Sequence, residues 1–275
     1  VTKLSDRDMA GSLTANAILT TDTFAKEGFL SFEMGGIEIR MGGIAKGSGM
    51  IHPNMGTMLA FIVCDISIKP ELLDEALRQA TDRSFNMITV DGDTSTNDMV
   101  AVMCNGKAEN PKITEMDANY QLFLNHLEDL CVHLAKLIIS DGEGSTKLIE
   151  YRTHGAKSEE DARKVVRTVS NSNLVKTAVF GSDPNWGRII AAAGRSGVDF
   201  DPQSMDLFIG VELNKMIPVL QKAQPAEGVR EELKKVMTSS TIIIQIDLNQ
   251  GEESAVGWGS DFSYEYVRIN AEYTT

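Results

Sequence analysis

An α+β fold is predicted, on two observations. Segments of strand period and helix period follow one another without strict alternation, and no internal repeat recurs along the 275 residues. A doubly wound parallel sheet needs strand and helix to alternate, so layered α+β is the better fit. The apolar share, 42%, is enough for a sizeable core.

The elements follow in order. Residues 5–26 read as a short helix and a polar, Thr-rich turn. Phe29-Leu30-Ser31-Phe32-Glu33-Met34 and Ile37-Glu38-Ile39-Arg40 flank Gly35-Gly36, the pattern of a hairpin. Residues 58–66 are apolar without a break, which predicts a strand buried on both faces. Pro70 opens a helix through Arg83, with a stripe of Leu72, Leu73, Ala76, Leu77 and Ala80.

Residues 87–90 and 100–104 are strands around an Asp/Thr/Ser-rich loop. The longest helix spans 120–139, its stripe running through Phe123, Leu127, Leu130, Leu134, Leu137 and Ile138. A strand at 148–151 precedes a capped helix from Ser158 through Thr168. Residues 176–180 read as a strand, and 183–193 as a helix closed by Gly194. Strands near 205–209, 241–248, 255–259 and 264–269, with a helix near 229–237, complete the chain. His154-Gly155-Ala156-Lys157 is a plausible boundary, giving a core of residues 1–155 and a lobe of 156–275.

The net charge of −13 argues against nucleic acid or an anionic membrane surface as partner. Cys64, Cys104 and Cys131 have no metal-like spacing and sit in apolar runs, which predicts free buried thiols in a reducing compartment. No apolar run reaches the ~18 residues of a membrane span, and no secretory pattern opens the chain, so a cytoplasmic protein is the default expectation.

Chemistry concentrates at Gly56-Thr57. A Gly-rich polar loop, from Lys46-Gly47-Ser48-Gly49 onward, delivers Thr57 to the head of an apolar strand. A threonine hydroxyl is a weak nucleophile unless a base adjoins it. Cutting the preceding peptide bond frees an α-amine, with a pKa of roughly 8, that can take the hydroxyl proton. Gly56 suits such a cut, because a residue without Cβ tolerates strained backbone. The same spacing also fits an ordinary glycine turn before a strand.

Six segments in order carry a resemblance. They are the run from Lys46 to Leu59, Leu19-Thr20-Thr21-Asp22-Thr23, the loop Asp91 to Asp98, Asp141-Gly142-Glu143-Gly144, Asp183-Pro184-Asn185-Trp186-Gly187-Arg188, and Asn270 to Thr275. Together they resemble the ornithine acetyltransferase family, the bifunctional glutamate N-acetyltransferases of arginine biosynthesis. One departure stands out: Gly56 occupies a position where the family usually has alanine.

The resemblance implies a layered αββα-type core, like that of the N-terminal nucleophile enzymes, with a smaller α/β C-terminal lobe whose tail returns to the active site. It implies self-cleavage between Gly56 and Thr57, with Thr57 as the nucleophile that carries acetyl from N2-acetylornithine to glutamate. Substrate binding is implied for Thr20 (Thr21 a close second), Lys46, Thr57, Glu143, Asn270 and Thr275. It further implies a preceding segment bearing a Thr-Gly oxyanion pair, and a heterotetramer of two α and two β chains. No metal or organic cofactor is implied; acetyl-CoA is an optional donor that the sequence does not decide.

Each of these residues has a plainer reading. Lys46 suits a solvated loop, Thr20 to Thr23 a cap or turn, Glu143 a surface turn, and the last residues a loose tail. The Asp91 to Asp98 loop lacks the closing acid of an EF-hand and reads as a polar turn. His126 and His133 read as core or surface histidines, and Asp183 to Arg188 as a capped helix start with Trp186 in the core. Two rival functions stay open: an N-terminal nucleophile amidohydrolase or aminopeptidase, and an uncleaved amino-acid-binding descendant.

Overall fold

The structure, a computed structural model, describes residues 9–52, 58–94 and 97–272. In chain order the elements begin with α1 (Ala10–Ala17), β1 (Lys26–Met34), β2 (Ile37–Lys46), β3 (Leu59–Cys64) and α2 (Pro70–Arg83). Then come β4 (Ile88–Thr89), β5 (Met99–Cys104), α3 (Ala118–Ser140), β6 (Leu148–Ala156), α4 (Glu159–Ser170), α5 (Asn173–Phe180) and α6 (Trp186–Gly194). The rest are β7 (Asp206–Gly210), β8 (Ile217–Gln221), β9 (Gln224–Pro225), α7 (Arg230–Met237), β10 (Thr241–Asp247), β11 (Glu253–Ser260) and α8 (Tyr264–Glu272).

The chain forms two compact units. One comprises Val1–Asn86 and Asp93–Asp141; the other comprises Met87–Gly92 and Gly142–Thr275. The break falls between Asp141 and Gly142.

The first unit is a four-stranded sheet in the order β1-β2-β3-β5, with antiparallel pairs except for the parallel β3-β5. Gly35 and Gly36 both take positive φ, as a two-residue hairpin turn needs, and Met34 pairs with Ile37. Helix α3, capped by Asp117 accepting from Tyr120 N at 2.9 Å, packs on β1 and β2. Its approach depends on Gly28 and Gly43, which face each other across the strands. A Cβ at Gly28 would stand 2.6 Å from Leu130 Cδ1, and one at Gly43 3.0 Å from Leu134 Cδ1.

Strand β3 corrects one expectation. Ala60, Ile62 and Cys64 are buried, but Val63 is 53% exposed, so one face is covered and not two. A continuous apolar run is compatible with either state; here Phe61 and Val63 line an open cleft of about 770 Å³ with Phe29, Ile44 and Met103.

The second unit is a seven-stranded mixed sheet, β4-β11-β6-β10-β7-β8-β9. Helix α4 lies against β6 and β11. Ser158 Oγ caps it by accepting from Asp161 N at 3.1 Å, the start read from the sequence. Residues 176–180 are helix α5, not a strand. Its buried face is Val175, Lys176, Ala178 and Val179, and the fully buried Lys176 ammonium donates to the carbonyl of Ser260. Residues 264–269 are likewise helix, in α8. There Glu265 meets Arg268 one turn on at 2.5 Å, and the Tyr264 ring packs edge-on against Phe180. Their aromatic and β-branched residues favour a strand by local propensity. Strands β8 and β9 had no expectation attached.

Cys64, Cys104 and Cys131 are free thiols; Cys64 and Cys131 are buried, and Cys104 is only partly so. No helix among the described residues is long and apolar enough to cross a membrane.

Candidate functional site

Gly56 and Thr57 lie outside the described residues, as does Thr275. The described residues on either side of them are held as follows. β2 and β3 pair antiparallel, with Lys46 opposite Leu59. The start of β3 is held from its other side too: Met58 N donates to Asp98 Oδ1 at 2.7 Å, and Met99 N donates to Met58 O at 3.1 Å. Lys46 therefore ends β2 opposite the first residue of β3.

Thr20 joins Lys46. Lys46 Nζ donates to Thr20 Oγ1 at 3.5 Å, a loose contact in an exposed position. What brings Thr20 there is buried. Lys26, with no exposed surface, lies 2.6 Å from both Asp22 Oδ1 and Asp141 Oδ2. Asp22 also accepts from Gly47 N at 2.6 Å and from Thr20 N at 3.1 Å. Asp141 accepts from Thr23 N at 2.9 Å and from the Thr23 hydroxyl, and its carbonyl accepts from Ser48 Oγ at 2.6 Å. The loop at 20–23 is thus locked to the residues just after Lys46.

Burial by itself would raise the Asp22 carboxyl. The Lys26 ammonium and the N–H groups of Gly47 and Thr20 outweigh it and hold Asp22 below its ordinary value. Asp98 goes the other way: burial raises it, and the Met58 N–H and the Lys46 charge offset only part of that rise.

The second unit holds a pair of its own. Glu143 Oε2 accepts from Asn270 Nδ2 at 3.0 Å, and the same amide donates to Tyr266 O at 3.0 Å. Gly144 has φ +68°, and a Cβ there would collide with Tyr266 N. Ser263 Oγ donates to Gly144 O at 2.6 Å, fixing the turn that presents Glu143 against the start of α8. The glycine is required for close approach, as its place beside Glu143 suggests.

Other candidates resolve into structural roles. Asn185 accepts from Arg188 N and caps α6, and Arg188 Nη1 donates to Leu174 O at 2.9 Å. Trp186, expected in the core, is 38% exposed beside a cleft of about 420 Å³. His126 stacks on Phe32 with ring centroids 4.2 Å apart. His133 Nε2 lies 3.2 Å from Glu27 O. Among the described residues no three His, Cys, Asp or Glu side chains gather as metal ligands.

Sequence reading missed Lys26, Asp141 and Asp98. Lys26 looked like any polar residue at a strand start. Asp98 carried a usable signal: an acid immediately before an apolar strand can accept from a neighbouring strand's end.

Fold and residue pairs together describe a mixed α+β protein, similar over most of its length to a solved structure. That structure, the arginine biosynthesis bifunctional protein argJ from Bacillus halodurans, superimposes with a TM-score of 0.73 at 42% identity, over 78% of this chain and 98% of the other. The ArgJ family model matches residues 2–275, and the chain belongs to that family. The arginine biosynthesis bifunctional protein ArgJ of Symbiobacterium thermophilum is 50% identical over 265 residues, covering 96% of this chain and 65% of its own. That of Listeria monocytogenes is 51% identical over 259 residues, covering 94% and 64%. This chain therefore spans about 65% of the length of the curated relatives it matches.

Proposed function

We propose that the protein carrying this chain is an acetyltransferase of arginine biosynthesis, moving acetyl from N2-acetylornithine to glutamate through an ester on Thr57. The observation that carries this reading is the placement of Lys46 opposite Leu59, at the start of β3 and beside Thr20.

The chemistry runs in two displacements. Thr57 Oγ attacks the acetyl carbonyl carbon while its own α-amine takes the hydroxyl proton. The C–N bond breaks, the amine returns that proton to the leaving nitrogen, and ornithine departs. The amine of glutamate then attacks the ester carbon, the C–O bond breaks, and N-acetylglutamate leaves as Thr57 regains its proton. The covalent ester divides one hard transfer into two easier ones.

In this reading Lys46 is a compact positive charge for a substrate carboxylate, within a chain of net charge −13. Glu143, oriented by Asn270, accepts from a substrate ammonium. Thr275 and the Thr-Gly oxyanion pair belong to the same reading by resemblance. Scission between Gly56 and Thr57 precedes catalysis. It rests on the resemblance of the run from Lys46 to Leu59, where Gly56 precedes Thr57.

The test is a product assay with N2-acetylornithine, with and without glutamate. Transfer gives sustained ornithine release only when glutamate is present. Acetate released at the same rate without glutamate would identify a hydrolase instead.

A further inference from the structure

Strands β3 and β5 pair in parallel and in register, from Leu59 beside Met99 to Cys64 beside Cys104. Adjacent strands lie ~4.8 Å apart and successive side chains alternate between faces, so residues paired in register share a face. A disulfide spans Cα atoms roughly 4.4–6.8 Å apart. The ladder therefore sets these two free thiols at bridging separation. The sulfurs already meet in a hydrogen bond. That bond, helped by the backbone N–H of Ile66, holds the Cys64 thiol below its ordinary value against burial and the Asp65 carboxylate. The same bond, with burial, pushes Cys104 up. Cys64 is thus the thiolate of the pair and Cys104 the donor. Both line a cleft of about 400 Å³ with Phe29, Arg40, Asp65 and Met103. Cys131 is the internal contrast: it is fully buried in α3, and burial pushes its pKa up to about 12.

We propose that Cys64 and Cys104 form a dithiol oxidation site, at which a hydroperoxide converts the pair to a reversible disulfide across β3 and β5. The Cys64 thiolate attacks one peroxide oxygen. An S–O bond forms and the O–O bond breaks. The departing oxygen takes up the proton that Cys64 gave up and leaves as water, or as an alcohol from an organic hydroperoxide. The Cys104 sulfur then attacks the Cys64 sulfur. The S–S bond forms, the S–O bond breaks, and the hydroxyl leaves with the Cys104 proton as water. Two electrons pass from the thiols to the peroxide, and an added dithiol reverses the change by exchange. Neither thiol takes part in the acetyl transfer proposed above, so the two readings fail separately.

The experiment treats the folded protein that carries this chain with stoichiometric hydrogen peroxide. It then quenches with N-ethylmaleimide under denaturing conditions and maps the peptides by mass. The expected product is a linked Cys64–Cys104 pair, lighter by two hydrogens and absent after dithiothreitol. It should form at least roughly tenfold faster than Cys131 is lost to alkylation, since the thiolate is the reactive form. In Cys104→Ser, dimedone should trap a sulfenic acid at Cys64. In Cys64→Ser, Cys104 should resist peroxide as Cys131 does. A linked pair that forms no faster than Cys131 oxidises overturns the proposal. So does folded protein whose two thiols both stay alkylatable, or Cys104 in Cys64→Ser oxidised at the rate of the unmodified pair. Where a serine variant does not fold, the linked pair in the unmodified protein decides alone.

Discussion

Lys46 and Leu59 face each other across the antiparallel β2-β3 pair, at the end of β2 and the start of β3. The relationship is made rigid from beneath. Gly47 N donates to Asp22, Asp22 meets Lys26, and Lys26 meets Asp141. A point charge at a fixed place is what recognition of a carboxylate requires.

Replacing Lys46 by Met should therefore raise the KM for substrate by about ten- to a hundredfold, taking a charged hydrogen bond as roughly 1.5–3 kcal/mol. Scission at Gly56 should persist. Steady-state kinetics beside intact mass checks both. An unchanged KM would return Lys46 to the solvated loop.

Glu143 and Asn270 should behave as a unit. Glu143→Gln and Asn270→Ala each remove part of one recognition element, the carboxylate or the amide that orients it. Their effects on kcat/KM should be less than additive in the double variant, because neighbours in one network couple. Strict additivity would show that the Asn270 contact does not serve Glu143.

Lys26 sits between two carboxylates in a fully buried position. Lys26→Met leaves both without their cation, and breaking such a pair costs about 3–5 kcal/mol. Urea denaturation should register the loss. Asp22 adds a pH signature. Its folded pKa is lowered, so its contribution is present above its unfolded pKa of ~3.9 and is lost as pH falls through the folded value. Acid unfolding of Asp22→Asn should lack that component.

Lys176 titrates in the opposite range. Burial pushes its pKa down to about 8, against the pull of Asp261 and Asp91. Between that value and the unfolded ~10.4 the unfolded chain binds the extra proton, so stability should rise with pH. The slope should vanish in Lys176→Met when urea midpoints at pH 7.5 and 9.5 are compared.

Much of this was legible in the chain. The hairpin at Gly35-Gly36, the helix from Pro70 and the long helix on Leu127 to Leu134 carry local signals that tertiary contacts reinforce. The segments at 176–180 and 264–269 misled, because their β-branched and aromatic residues suit a strand as well as an amphipathic helix. Only neighbours decide between the two, and Lys176 reaching Ser260 is one such neighbour. The pairs Thr20–Lys46 and Glu143–Asn270 join residues 26 and 127 positions apart. Resemblance named those residues; the Lys26 network that places the first pair depends on burial, which no local pattern reveals.

The central claim is that Thr57 carries the acetyl group. The direct measurement is the mass of the chain beginning at Thr57, quenched in acid during reaction with N2-acetylornithine in the absence of glutamate. The expected result is a gain of one acetyl group, located at Thr57 by fragmentation, cleared on adding glutamate, and absent from Thr57→Ala. A chain that never starts at Thr57, or that turns over N2-acetylornithine with no acetyl at that residue, would contradict it.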